Sequence, residues 1–108
     1  MCIRDSVYVG DVVRAFVAAL GSDVSGIFNV GTGVETDVNT LFDHINRHTG
    51  AGRAREHGPA APGEQMRSVL DTAYIQKTLG WAPEVDVATG LERTVAWFKE
   101  QEAAGARA

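Results

Sequence analysis

Residues 27–45, which read I-F-N-V-G-T-G-V-E-T-D-V-N-T-L-F-D-H-I, contain the pattern that decides the fold. The apolar positions over residues 24–30 predict a short strand, which Gly31-Thr32-Gly33 ends by allowing a tight backbone turn. Asp37 is a typical N-cap for a helix that stops at Thr49-Gly50. The apolar positions of this helix recur at i, i+3, i+4 and i+7: Val38, Leu41, Phe42 and Ile45. A strand, a glycine turn and an amphipathic helix in succession favour an α/β fold.

The residues before this stretch predict another strand and another helix. From Ile3 to Val9 the sequence alternates with a period of two, which places Arg4, Ser6 and Tyr8 on one face of a strand. Asp11 is expected to cap a helix that ends at Gly21. Its apolar stripe consists of Val12, Val13, Phe16, Val17 and Leu20. A strand followed by a helix therefore precedes the central stretch.

The residues after it contain a long loop. Residues 51–67 are rich in Gly, Pro, Ala and charged side chains, which excludes a regular helix. A loop of this length in a compact domain is either functional or disordered. The pattern then predicts a strand at 68–70, a helix that Asp71 caps and that runs to Leu79, and a last helix from Val87 to about Glu102. We expect Trp81 to pack back against the third helix.

Composition limits the classes of function. The chain has 108 residues and a formal net charge of −4, with 10 Lys and Arg against 14 Asp and Glu. The acidic balance argues against nucleic acid or an anionic membrane as the main partner. No apolar run is long enough for a transmembrane helix, and the first residues lack a signal-peptide pattern, so we expect a cytoplasmic protein. A single cysteine, Cys2, cannot form an intrachain disulfide.

Common catalytic and cofactor motifs are absent from the sequence. The G-x-G turn at Gly31 lacks the third glycine of a dinucleotide fingerprint, because Thr36 stands there. No tyrosine has a lysine four residues later, since Tyr8 is followed at that spacing by Val12 and Tyr74 by Thr78. His44 and His48 lie four apart on one helical face, but no third ligand is evident, so we predict a solvated polar face rather than a metal site. The sequence therefore predicts neither catalytic residues nor a metal site.

Arg4, Glu64 and Arg67 leave two interpretations open. An arginine on a strand and a long loop with further charges can together line a site for an anion or a sugar, because guanidinium is suited to phosphate. The alternative is that Arg4 pairs with a surface carboxylate and that Glu64 and Arg67 are loop charges.

Five motifs in order resemble the C-terminal part of NAD-dependent sugar-nucleotide epimerases and dehydratases, within the extended short-chain dehydrogenase/reductase family. They are Arg4–Val13, Phe28–Gly33, Pro62–Glu64, Leu79–Pro83 and Gly90–Phe98. UDP-glucose 4-epimerases are the members that this sequence resembles most. The resemblance runs from about Ile3 to Lys99 in the family's order and spacing.

The resemblance implies a small substrate-binding portion with about four helices and short strands over residues 1–102. Residues 103–108, which end in Ala-Gly-Ala-Arg-Ala, are expected to form a frayed tail. In that family an N-terminal Rossmann domain binds NAD and carries the catalytic residues. The resemblance therefore implies NAD for the full-length protein, a Rossmann domain that this chain lacks, and a possible homodimer of the full-length protein. The implied ligand is a nucleotide sugar, with a UDP-sugar favoured.

The resemblance also assigns substrate-binding roles to three residues. Arg4 holds the place of an arginine that contacts the UDP diphosphate, Val34 that of a residue near the uridine, and Glu64 that of an acidic residue that bonds the ribose. Two positions depart from the family's pattern. Ser6 replaces an aromatic residue near the nucleotide, and Ala61 replaces a phosphate-binding arginine.

Two hypotheses about function follow. The first is a substrate-binding part of an epimerase or dehydratase that is inactive alone, and the second is a standalone binding or oligomerisation module without catalysis. The first predicts exposed apolar surface where a Rossmann domain would lie, whereas a standalone binding module predicts a polar surface there. Self-association through the apolar surface would distinguish an oligomerising piece.

Overall fold

The computed structural model describes residues 3–59, 62–63 and 65–105. In these ranges the chain forms, in order, β1 (Ile3–Asp5), α1 (Val9–Leu20), β2 (Glu35–Asp37), α2 (Val38–Thr49), β3 (Arg67–Ser68), α3 (Ala73–Leu79) and α4 (Val87–Ala103). Four helices and a three-stranded sheet confirm the predicted α/β class. None of the described helices combines the length and the apolar character needed to cross a bilayer.

β1 is the central strand of the sheet. It pairs antiparallel with β2 on one side and parallel with β3 on the other. Arg4 is opposite Thr36 in the first ladder and opposite Ser68 in the second. Directly paired residues project from the same face of a sheet. These three side chains therefore form a row across it.

The boundary between the first strand and the first helix differs from the prediction. β1 ends at Asp5 instead of Val9, and α1 already begins at Val9. Asp11 is not an N-cap: it lies in the first turn of α1 and is 1% exposed. Its carboxylate accepts hydrogen bonds from the backbone N–H groups of Glu84 (3.2 Å) and Val85 (3.1 Å). These tertiary partners explain why the local capping signal was misleading.

The strand predicted over residues 24–30 is not formed within the described chain. Its side chains do alternate, since Phe28 and Val30 pack against the core while Ile27 is 92% exposed. Among the described residues, however, no backbone–backbone hydrogen bond reaches this segment. A strand requires a neighbouring strand to complete its ladder. The segment has the side-chain pattern of a strand but no partner.

The remaining helix boundaries follow local signals. The Asp37 side chain accepts from the Thr40 N–H (2.8 Å), and Gly50 closes α2 in the left-handed conformation, as predicted. Thr72, not Asp71, occupies the N-cap position of α3, although the Asp71 carboxylate accepts from the Ala73 N–H nearby (3.0 Å). β3 is shorter than the predicted strand and begins one residue earlier. The described residues between α2 and β3 form no helix or strand, which agrees with the predicted loop.

A small core joins α1 to α3 and to the turn after α3. Its members are Ala15, Ile75 and Trp81, with Phe28, Val30 and Leu79 packed around them. Trp81 does pack back against α3, as predicted. The opposite side of α1 is apolar and exposed, and we call it the α1 outer face: Val9, Val13, Phe16, Val17 and Leu20. The predicted apolar stripe of α1 thus lies mainly on the surface, and Leu20 is 87% exposed.

Candidate functional site

The carboxylate of Asp5 joins three segments beside Arg4. Its Oδ1 accepts hydrogen bonds from the backbone N–H (2.8 Å) and the hydroxyl (2.9 Å) of Thr32. Its Oδ2 accepts from the backbone N–H groups of Gly33 (2.8 Å) and Leu70 (3.4 Å). Partial burial disfavours the charged form, but the hydrogen bonds from Thr32, Gly33 and Leu70 outweigh burial and lower the pKa of Asp5 below its usual value.

The glycine turn is fitted closely around this carboxylate. A Cβ atom at Gly31 would lie 2.8 Å from Oδ2 of Asp5, and Gly33 has a φ of +72°, which favours glycine. Two consecutive N–H groups of the turn, those of Thr32 and Gly33, already bind Asp5. They do not fit the role of a phosphate cradle for NAD, which needs free N–H groups at such a turn.

Val34 lies on the wall of an open cleft. The cleft has a volume of about 480 Å³, and it separates residues 32–36 from residues 83–88, which comprise the end of the α3–α4 connection and the start of α4. This volume is within the range of small-molecule sites, roughly 300–1,000 Å³. The Val34 N–H donates to the Thr32 hydroxyl (3.0 Å), so the wall of the cleft is bonded to the turn that Asp5 holds.

A second cavity of about 260 Å³ adjoins the cleft, since Asp86 and Val87 line both. Ser6 and Tyr8 also line this second cavity. Ser6 therefore borders an open space at the position where the resemblance implies an aromatic side chain. The Asp86 side chain caps α4 by accepting from the Thr89 N–H (2.7 Å), and that bond lowers the pKa of Asp86.

The structure brings only some of the predicted site residues together. Arg4 does not line the cleft, but its cross-strand neighbour Thr36 does, and an Arg4 Nη1 donates to the backbone carbonyl of Ile3 (2.9 Å). Arg67 forms an ion pair with Glu35. Glu64 and Ala61 lie outside the described residues.

The two histidines form no metal site in the described part of the chain. No group of three or more His, Cys, Asp or Glu side chains there could hold a metal ion. His44 Nδ1 instead lies 2.9 Å from a guanidinium nitrogen of Arg47, one turn along α2. Both histidines are half-buried, however, and Nε2 of His48 is buried without a hydrogen-bond partner among the described residues, so the prediction of a solvated face does not hold for His48.

Sequence reasoning missed Asp5 and the α3–α4 connection. Asp5 follows Arg4 directly, but its partners are 27 to 65 positions away in the chain. The far wall of the cleft, residues 83–88, carries no recognised motif beyond the Trp81-Ala82-Pro83 turn. No spacing in the sequence indicates either contact.

The chain is similar to nucleotide-sugar enzymes over nearly its whole length. It is 43% identical over 99 residues to a UDP-glucose 4-epimerase of Mycolicibacterium smegmatis. The aligned region covers 91% of this chain and 32% of that protein. The chain is 34% identical over 102 residues to a dTDP-glucose 4,6-dehydratase of Streptomyces niveus, covering 93% and 30%. No family model matches the chain.

Solved structures show the same relationship. A UDP-glucose 4-epimerase from Thermotoga maritima, solved with UDP-glucose, superposes with a TM-score of 0.86 at 38% identity, over 94% of this chain and 33% of that one. MoeE5, solved with UDP-glucuronic acid and NAD, superposes with a TM-score of 0.84 at 26% identity, over 93% and 34%.

The fold is that of a portion of an extended short-chain dehydrogenase. Within that class, the chain belongs to the family of nucleotide-sugar epimerases and dehydratases. It spans about a third of the length of the curated relatives that it matches.

Proposed function

We propose that this chain is the substrate-binding part of an NAD-dependent nucleotide-sugar epimerase or dehydratase, of the kind represented by UDP-glucose 4-epimerase. The proposal rests on one observation: an epimerase that was solved with UDP-glucose superposes on 94% of this chain. In our proposal Arg4 contacts the diphosphate, Val34 lies beside the uridine and Glu64 bonds the ribose.

The arrangement around β1 supports these roles. Arg4 supplies a guanidinium, which suits a diphosphate because its N–H groups form paired, charge-assisted hydrogen bonds with phosphate oxygens. Val34 lines a cleft large enough for a small ligand. The Asp5 carboxylate connects the strand of Arg4 to the turn before Val34.

NAD in our proposal is bound by the full-length protein and not by this chain. MoeE5 was solved with NAD, which supports NAD as the cofactor of the family. The one G-x-G turn in this chain has its N–H groups directed at Asp5. We therefore assign NAD binding, and the catalytic residues, to a Rossmann domain with which residues 1–102 would pack, and leave residues 103–108 as a tail.

Two surfaces suit such a domain. The α1 outer face is an apolar helix surface, which is stabilised when an apolar layer covers it. Beside it, residues 24–30 have alternating side chains and no ladder within the described chain. An edge strand of a neighbouring sheet would supply that ladder and cover Ile27.

The full-length protein in our proposal is cytoplasmic and forms a homodimer, and this chain alone catalyses no reaction. Two measurements test the assignment: calorimetry with UDP and with NAD, and an activity assay with UDP-glucose. We expect weak UDP binding, no saturable NAD binding and no conversion of UDP-glucose. Arg4→Ala should reduce UDP affinity, whereas Arg53→Ala, on the loop after α2, should not. Saturable NAD binding, or equal UDP affinity of the two variants, would contradict the proposal.

An oligomerisation module is the second candidate function, because the α1 outer face offers an apolar surface to a second copy. A standalone binding module is less well supported, since it predicts a polar surface at that face. Sedimentation equilibrium distinguishes the candidates. A concentration-independent dimer that Leu20→Lys dissociates would support the oligomerisation module over the proposed substrate-binding part.

A further inference from the structure

We propose that Asp5 is the positioning residue of the nucleotide site, which holds Arg4 and the Val34 side of the cleft in a fixed relation. This inference rests on the proposed function and goes beyond the three binding residues that it names. Asp5 is not proposed to touch the ligand. It acts through the turn to which it is bonded.

The first step is the reach of the carboxylate. Asp5 is the residue next to Arg4 on the central strand, so any movement of β1 moves both. Its two oxygens accept four hydrogen bonds, three from the Thr32-Gly33 turn and one from Leu70. Hydrogen bonds to a charged acceptor are about twice as strong as neutral ones. One ionised side chain thus ties β1 to both of the segments that flank it.

The second step leads from the turn to the cleft. The Thr32 hydroxyl donates to Asp5 and accepts from the N–H of Val34, so a chain of two hydrogen bonds connects the carboxylate to Val34. Thr32 and Val34 both line the cleft. Loss of the carboxylate would release the turn and shift this wall with respect to Arg4.

The third step is the fit between Asp5 and Gly31. A methyl group at Gly31 would lie 2.8 Å from Oδ2 and 3.0 Å from the carboxyl carbon of Asp5. Gly31 is buried but does not line the cleft. Gly31→Ala therefore disturbs the carboxylate without removing a group from the cleft wall.

The experiment measures UDP affinity by calorimetry and backbone amide signals by NMR, on the full 108-residue chain. Asp5→Asn should shift the amide signals of Thr32, Gly33 and Val34 and weaken UDP binding by about tenfold, a loss equivalent to about 1.4 kcal/mol. Gly31→Ala should act in the same direction, and it serves as the second variant if Asp5→Asn does not fold. Val95→Ala is the control, because it removes part of a buried side chain of α4 that lines neither the cleft nor the second cavity, and it should change UDP affinity by less than about twofold once corrected for the folded fraction.

Two outcomes would overturn the role of Asp5. One is that Asp5→Asn and Gly31→Ala move the turn signals but leave UDP affinity unchanged. The other is that Val95→Ala weakens UDP binding as much as Asp5→Asn, which would reduce the effect to general destabilisation. If the unmodified chain does not bind UDP, the proposed function fails and the role of Asp5 in binding fails with it. The amide signals distinguish the two failures, because they show without any ligand whether the Asp5 carboxylate fixes the Thr32-Gly33 turn.

Discussion

The indole N–H of Trp81 donates a 2.9 Å hydrogen bond to the backbone carbonyl of Asp11, which lies 70 positions earlier in the chain. The same residue receives the N–H groups of Glu84 and Val85 on its side chain. The first turn of α1 is therefore fixed to the connection between α3 and α4. This connection also forms the far wall of the cleft, so the core and the candidate site share one support.

Trp81→Phe should destabilise the chain by roughly 1–3 kcal/mol, because it removes a buried hydrogen bond and leaves a small void. Urea denaturation followed by circular dichroism measures the change. Trp97→Phe is the matched control, since Trp97 is exposed on α4 and should change stability by less than about 0.5 kcal/mol. Equal losses in the two variants would contradict the role of the Trp81 hydrogen bond.

Asp11→Asn should lower stability at neutral pH by about 2–3 kcal/mol, because a buried carboxylate loses its charge opposite Arg14 (2.9 Å). Burial disfavours ionisation of Asp11, but hydrogen bonds from Arg14, Val85 and Glu84 lower its pKa below the usual value.

A lowered folded-state pKa means that ionised Asp11 stabilises the fold above its unfolded pKa of about 3.9, and that this contribution is lost as the pH falls through the folded value. The unmodified chain should therefore lose stability between about pH 5 and pH 2, and Asp11→Asn should show a shallower slope. Thermal unfolding across this range is the measurement, with Asp23→Asn as the exposed control. Parallel slopes for the Asp11 variant and the unmodified chain would refute the prediction.

The chain should bind a dye that fluoresces on apolar surfaces, because the α1 outer face is uncovered. Phe16→Ser with Leu20→Ser should reduce that fluorescence and change stability by less than about 1 kcal/mol, since both side chains are more than half exposed. Ile75→Ala is the contrasting variant: it empties part of the core and should cost about 2–5 kcal/mol. A dye-silent, cooperatively folded monomer would speak against the proposed domain surface.

Ala61→Arg should raise UDP affinity by about tenfold or more, equivalent to roughly 1.5–3 kcal/mol, if the loop directs the new guanidinium at the diphosphate. The measurement uses this chain joined to a matching Rossmann domain and compares UDP affinity over a salt series. A general surface charge would give a smaller effect that salt removes readily. Unchanged affinity would mean that position 61 does not face the diphosphate.

Local signals explain which elements the sequence could predict. Asp37 and Gly50 mark α2 correctly, because a cap depends on residues within one turn. Asp11 carries the same local signal but lies inside α1, because its partners are 73 and 74 positions away. Residues 24–30 have the pattern of a strand, yet a pattern does not supply a neighbouring strand.

The sequence likewise predicts some residues of the candidate site and misses others. The resemblance directs attention to Val34, and the structure has it on the wall of a cleft. Its contact with a nucleotide stays a prediction, as do the roles of Arg4 and Glu64. The opposite wall at residues 83–88 and the bonds of Asp5 depend on tertiary contacts that spacing does not encode.

The position of β1 at the centre of the sheet has a consequence for the order in which the chain assembles. Asp5 and its partner Leu70 are 65 positions apart, so the parallel half of the sheet closes only after most of the chain has been synthesised. α2, whose caps are local, can form before that. Until β3 arrives, one edge of β1 is unpaired on the nascent chain. We therefore expect late sheet closure, rather than helix formation, to set the folding rate and the interval in which newly made chains aggregate.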